Sequence, residues 1–152
     1  MRTYLVGMPG CGKSTMAKKW ADERDCAFLD LDELIETQQG ISIDSIFKNF
    51  SENQFRIFEQ EALHSTAALA HTIIATGGGT PCFFNNMEWM KKSGHTIYLE
   101  VPINVLLNRL NLDGKNRPLL HSDLEQIQLQ ELLENRNIFY QQAHETVKEF
   151  VL

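Results

Sequence analysis

At 152 residues the chain is long enough for about one domain with a real core and too short for a separate substrate domain. Fourteen basic residues against twenty acidic ones leave a net charge of −6, which argues against a broad nucleic-acid or anionic-membrane surface and makes any anion binding local. No apolar run reaches the length of a membrane span and the N-terminus lacks a signal peptide's layout. The three cysteines, Cys11, Cys26 and Cys82, are odd in number and form no C-x-x-C pair, so a reduced, cytoplasmic setting is expected; a monomer is expected as well.

The chain opens with a strand-like run at residues 2–6, followed by Gly7-Met8-Pro9-Gly10-Cys11-Gly12-Lys13-Ser14 and then a helical pattern over residues 14–24. The string G-x-x-x-x-G-K-[ST] between a strand and a helix is a phosphate-binding loop. Its glycines let successive N–H groups turn toward phosphate oxygens at a positive helix end. Lys13 adds a point charge at the β/γ-phosphates, and Ser14 offers a hydroxyl to Mg²⁺, which prefers oxygen ligands. A chance string of this kind arises in roughly one chain in 200 of this length.

Further strand-like runs at 27–31, 72–75, 96–101 and 146–152, separated by helical patterns, predict an α/β fold: a mainly parallel five-stranded sheet covered by helices on both faces. Ligands of such sheets sit beyond the carboxyl ends of the strands. The second run ends Phe28-Leu29-Asp30-Leu31-Asp32, where period-two alternation predicts Asp30 and Asp32 on one side, their repulsion relieved by a cation near Ser14. The plainer alternative is an acidic helix start. The segment Gln54-Phe55-Arg56-Ile57-Phe58-Glu59 predicts a helix that carries Arg56, with Glu59 on the same face to hold it. The third run leads into Gly77-Gly78-Gly79-Thr80, and three glycines at a strand end imply either a close approach to the backbone or an ordinary turn. Residues 111–120, NLDGKNRPLL, break an amphipathic helix and predict a mobile lid at about 111–122 carrying Arg117, or else a plain interhelix loop. Arg136, in Glu134-Asn135-Arg136-Asn137-Ile138-Phe139-Tyr140, is the second helical arginine among apolar residues. Two such guanidinium groups suit a carboxylate.

Together GMPGCGKST, LDLD, QFRIFE, TGGGT, NRPLL and NRNIFYQQA, in this order and spacing, resemble the shikimate kinase family of P-loop, nucleoside monophosphate kinase-like enzymes, over nearly the whole chain. The resemblance implies a single three-layer α/β/α domain over 1–152, with a phosphate loop at 7–15, an acceptor-binding region at about 32–60 and the lid. It implies transfer of the γ-phosphate of ATP to the 3-hydroxyl of shikimate on the route to aromatic amino acids. By that resemblance Gly10, Cys11, Gly12, Lys13, Ser14, Thr15 and Arg117 would hold ATP. Asp32, Arg56, Gly77, Gly78, Gly79 and Arg136 would hold shikimate, Ser14 and Asp30 would serve Mg²⁺, and Lys13, Asp32 and Arg117 would carry catalysis. One departure is Leu110, where members often place an adenine-facing arginine; here Arg109 stands one position earlier.

The remaining candidates have bland readings. Cys11 is a tolerated small residue, the five histidines lack metal-ligand spacing so that zinc is not expected, and Trp20 and Trp89 are core anchors. Rival functions are a gluconate or nucleotide kinase of the same fold, or else a nucleotide-dependent switch or a catalytically dead binding homologue. The lack of an N-K-x-D segment disfavours the switch, and the joint presence of Asp32, Arg56 and Arg136 disfavours the dead homologue.

Overall fold

The computed structural model describes residues 1–113 and 126–152, with only the backbone described at 111–113. The expected lid and its Arg117 therefore lie outside the described residues, save for that short stretch of helical backbone. In chain order the elements are β1 (Arg2–Val6), α1 (Lys13–Glu23), β2 (Ala27–Asp30), α2 (Leu31–Gln39), α3 (Ile43–Asn49) and α4 (Glu52–Ser65). They continue with β3 (Thr72–Ala75), α5 (Asn86–Ser93), β4 (His95–Leu99), α6 (Ile103–Asp113), α7 (Gln126–Tyr140) and β5 (Glu145–Val147).

The strands form one sheet in the order β2-β3-β1-β4-β5, every neighbouring pair parallel. Along β1, β3 and β4 consecutive residues are buried: Tyr4, Leu5 and Val6, then Ile73, Ile74 and Ala75, then Ile97, Tyr98 and Leu99. Successive strand residues point to opposite faces, so unbroken burial means that helices cover both, as a three-layer fold requires. Register sets the cleft. Leu5 and Asp30 both pair with Ala75, so β1, β3 and β2 end level and release the phosphate loop, the glycine run and Asp30 side by side.

Two strand boundaries differ from the sequence pattern. Among the described residues β5 is an edge strand paired only with β4, over Glu145, Thr146 and Val147. Beyond it the chain leaves the ladder, with Phe150 packed on the core and the Val151 carbonyl accepting from Lys19 Nζ at 2.9 Å. β2 stops at Asp30, because that side chain caps α2. Its Oδ1 accepts from the N–H groups of Asp32 and Glu33 at 2.9 and 3.2 Å. Such a cap contributes on the order of 1 kcal/mol. Ser42 and Ser51 cap α3 and α4 in the same way, and the left-handed Gly40, at φ 74°, ends α2.

Candidate active site

The phosphate loop takes the conformation its glycines permit, with Gly7, Gly10 and Gly12 at φ 151°, 83° and 99°. Gly12 leads directly into α1, so the loop's N–H groups and the helix N-terminus face one cleft. The cleft, about 960 Å³, is lined by Gly10, Gly12, Lys13, Ser14, Thr15, Asp30, Asp32, Arg56, Gly77, Gly78, Gly79 and Arg136 among others. That volume stands at the top of the range for single small-molecule sites and suits two ligands. Cys11 is the exception among the loop residues expected there: its side chain is wholly buried and its N–H donates to the Met8 carbonyl at 3.2 Å. The Lys13 ammonium donates to the carbonyls of Gly7 and Met8 at 2.7 and 3.0 Å, which holds it within the loop.

Ser14 Oγ donates to Asp30 Oδ2 at 2.5 Å, bringing a hydroxyl and a carboxylate together beside the loop. Both are hard oxygen donors of the kind Mg²⁺ takes. The expectation that Asp30 and Asp32 lie on one side by strand alternation is corrected. Asp30 ends β2 and Asp32 sits in the first turn of α2, so the helix start delivers Asp32 to the cleft. The Asp32 carboxyl is raised to about 6, first by partial loss of solvent, then by Asp30 and Glu59, with Lys13 opposing and Glu36 adding slightly. Its side chain remains exposed to cleft water, which screens part of this effect.

Arg56, on α4, is 4% exposed. One Nη donates to Glu59 Oε1 at 3.0 Å, and Glu52 lies 3.5 Å from Nε. The guanidinium also lies over the Phe83 ring, 4.1 Å from its centroid. Glu59, as foreseen, orients it. Glu59 Oε2 in turn accepts from Thr80 Oγ1 at 2.8 Å, and that hydroxyl accepts from Gly77 N–H at 2.9 Å. Burial raises the Glu59 carboxyl, while Arg56 and Thr80 pull it back down. Arg136, on α7, is 8% exposed and ion-pairs with no carboxylate among the described residues.

The glycine run explains itself sterically. A Cβ on Gly79 would lie 2.7 Å from both Nη atoms of Arg56; one on Gly78 would lie 2.7 Å from the Pro9 ring and 3.0 Å from Arg136 Nη1. One on Gly77 would lie 3.1–3.3 Å from Thr80, Glu59 and Asp32. The close approach inferred from sequence is thus made, at least in part, by the protein's own side chains. The turn that carries them is also real, because Thr80 N–H donates to the Gly77 carbonyl at 3.1 Å.

The sequence that builds this glycine turn, its two flanking buried guanidinium groups and the phosphate loop matches the shikimate kinase family model over residues 9–149. The chain belongs to the shikimate kinase family. It is 39% identical over 150 residues to a shikimate kinase of Phocaeicola vulgatus, covering 97% of this chain and 86% of that one. The solved shikimate kinase of Acinetobacter baumannii, in complex with shikimate, superposes with a TM-score of 0.92 at 35% identity, covering 99% and 84% of the two chains. A gluconokinase of Sinorhizobium meliloti superposes at 0.54 with 16% identity, covering 88% and 73%, and shares the fold alone. The expected three-layer P-loop kinase architecture is therefore the observed one.

Within this shikimate kinase fold, the Phe83 ring against Arg56 and the Thr80 hydroxyl on Glu59 act through side-chain contacts that the spacing of the motifs does not announce. Arg109 donates to the carbonyls of Gly10 and Cys11 at 3.3 and 3.0 Å, which ties α6 to the phosphate loop. Leu110 is the side chain nearest to where a Cβ on Gly10 would stand. Trp20 and Trp89 are partly buried against the core, as expected. No metal-binding group of three or more His, Cys, Asp or Glu occurs among the described residues. No described helix is long and apolar enough to cross a membrane.

Proposed function

We propose that the protein is an ATP-dependent shikimate kinase, transferring the γ-phosphate of ATP to the 3-hydroxyl of shikimate to give shikimate 3-phosphate and ADP. Membership of the family and likeness to a kinase solved with shikimate support this reading. The observation that carries the acceptor assignment is the pair of buried arginines, from α4 and α7, that stand against one glycine turn. A buried guanidinium without full anionic compensation is costly, and a carboxylate ligand supplies what Arg136 lacks.

In this reading Gly10, Gly12, Lys13, Ser14 and Thr15 hold the phosphates of ATP, and Cys11 shapes the loop from beneath. Ser14 and Asp30 would hold Mg²⁺, which supplies charge neutralisation on the β/γ-phosphates. Arg56 and Arg136 bind the shikimate carboxylate, Gly77, Gly78 and Gly79 line its ring, and Asp32 engages its hydroxyls. The hydroxyl oxygen bonds to the γ-phosphorus as the bridging P–O bond to ADP breaks, and the hydroxyl proton passes to Asp32. A carboxyl near 6 is mostly ionised at neutral pH and able to accept it. A loose transition state needs that proton removed late, so Asp32's larger contribution is to aim the oxygen. Arg117 is assigned the charge on the transferring phosphoryl group by resemblance alone. The protein works as one domain over 1–152 and as a monomer in the cytoplasm.

The test is coupled ADP release with shikimate, gluconate and AMP as acceptors. Shikimate should raise turnover far above the hydrolytic background and the other two should not. Equal ADP release with and without shikimate removes the assignment.

A further inference from the structure

Residues 77–80 form a β-turn, closed by Thr80 N–H donating to the Gly77 carbonyl at 3.1 Å. Gly79, at φ −94° and ψ −6°, has the third-position angles of a type I turn. Conversion to type II needs only a flip of the central peptide, Gly78–Gly79, and a positive φ at the third position, which glycine adopts without steric cost. Two glycines thus make the peptide facing the acceptor arginines the most easily reversed one in the turn. The rest of the turn is tied down, with Gly77 N–H on Thr80 Oγ1 at 2.9 Å and Cys82 N–H on the Gly79 carbonyl at 3.0 Å. The central peptide is held at a single point: Tyr140 Oη donates to the Gly78 carbonyl at 2.5 Å.

Tyr140 is itself fixed. It is fully buried at the end of α7, its ring stacks on Tyr98 at a centroid distance of 5.1 Å, and Met8 Sδ lies 3.7 Å from its hydroxyl. It stands one helical turn after Arg136, so one helix supplies both the arginine and the hydroxyl. In a planar trans peptide the Gly78 carbonyl and the Gly79 N–H point in opposite directions. With the carbonyl drawn toward buried Tyr140, the Gly79 N–H is directed away from it. No acceptor for that N–H occurs among the described residues.

We propose that Tyr140 is a positioning residue that locks the 77–80 turn as type I, so that the Gly79 N–H, beside Arg56 and Arg136, is a donor for the acceptor's carboxylate. In the flipped turn a carbonyl oxygen takes the place of that donor and repels the same anion. The inference rests on the acceptor-pocket reading above and adds to it a residue that need never touch substrate.

The experiment compares Tyr140→Phe with Tyr98→Phe and Arg136→Lys by calorimetric binding of shikimate without nucleotide, binding of ADP, steady-state kinetics and thermal unfolding. The Tyr140 hydroxyl also meets the Arg136 side chain, so Tyr140→Phe should weaken shikimate binding about 5- to 30-fold and, as the readout that separates the turn from the arginine, should also abolish the response of the Gly79 amide resonance to shikimate. KM for shikimate should rise in step, while kcat at saturating shikimate and the ADP affinity stay within about twofold of the parent. Tyr98→Phe keeps the stacked ring and should bind shikimate like the parent. A folded Tyr140→Phe protein that binds shikimate like the parent, while Arg136→Lys is weakened, overturns the proposal and leaves the pocket reading standing. Parent-like binding in Arg136→Lys removes the pocket reading and the proposal with it. Should Tyr140→Phe not fold, the parent protein still decides. Titration with shikimate must shift the Gly79 amide resonance and slow its hydrogen exchange, and an amide indifferent to shikimate overturns the proposal.

Discussion

Glu59 offers a sharp test of how the acceptor arginine is held, because its two obvious replacements should diverge. Glu59→Ala removes the acceptor of an Arg56 bond at 3.0 Å and a Thr80 bond at 2.8 Å from a residue 1% exposed, and leaves a buried guanidinium short of a partner. Breaking a buried pair from one side costs about 3–5 kcal/mol. Glu52 at 3.5 Å and the open cleft relieve Arg56 partly, so the low end, about 3 kcal/mol, is expected. For a chain of this size that is a fall in Tm of about 6–12 °C. Glu59→Gln should behave differently. The Glu59 carboxyl is raised by burial, so its folded form takes up a proton more readily than the unfolded chain does, and its ionisation adds no stability at neutral pH. An amide can accept from Arg56 and donate to Thr80 Oγ1, so Gln should stay within about 1 kcal/mol of the parent. The parent's stability should decline as pH rises through the folded carboxyl's range, and the Gln variant should lack that slope. Circular-dichroism melts at several pH values read all of this, with shikimate binding alongside. If Gln falls as far as Ala, then charge and not hydrogen-bond acceptance holds Arg56, and the argument is wrong.

Other outcomes follow from the same geometry. Lys13→Ala should lower kcat by about 10²–10³-fold or more, yet leave calorimetric shikimate binding largely intact, since the ammonium sits in the loop and the acceptor arginines lie elsewhere. With Asp32 titrating near 6, kcat/KM for shikimate should drop on acidification below that value, and Asp32→Asn should lose both activity and this limb of the profile. Because the folded carboxyl is raised above the ordinary aspartate value, ionised Asp32 destabilises the protein above about pH 6 and not below the unfolded range. Asp32→Asn should therefore stabilise the protein at pH 7.5, by about 1 kcal/mol after screening in the open cleft, and make no difference near pH 4. Gly79→Ala has a backbone angle alanine tolerates, so its effect isolates the collision with Arg56: shikimate binding should be lost and ADP binding kept.

How far these residues were legible depends on what fixes them. The phosphate loop reads directly from sequence, because its chemistry demands glycines, a lysine and a hydroxyl at set spacing. The pairing of Asp30 and Asp32 was legible as well, but its geometry was not. Alternation along a strand and the first turn of a helix both bring the two side chains to one edge, and only the capping bonds from Asp30 decide between them. The triple glycine announced a close approach without revealing its source. Arg56 and Pro9 reach that backbone from elements 23 and 69 positions away, counted from Gly79 back to Arg56 and from Gly78 back to Pro9. Thr80 and Tyr140 act through single hydrogen bonds to backbone that folding alone brings near. The edge strand was overread at residues 146–152, since an apolar run cannot show how much of itself finds a pairing partner.

A chain of net charge −6 that binds two anions must keep its positive groups where bulk charge counts least. Lys13, Arg56 and Arg136 are 8%, 4% and 8% exposed, and in the proposed assignment each would meet its ligand in a low-dielectric setting in which a short contact outweighs the distant acidic surface. Asp30, Asp32, Glu33 and Glu36 also line the cleft. They repel stray anions and, around Asp30, suit the cation that a nucleotide brings with it. The glycine turn then separates the two roles in space. Its backbone stands against Arg56 and Arg136 on the acceptor side and against Pro9 of the phosphate loop on the other. A side chain at 78 or 79 would push those groups apart, which is why the fold keeps this turn bare and assigns its orientation to Tyr140 from behind.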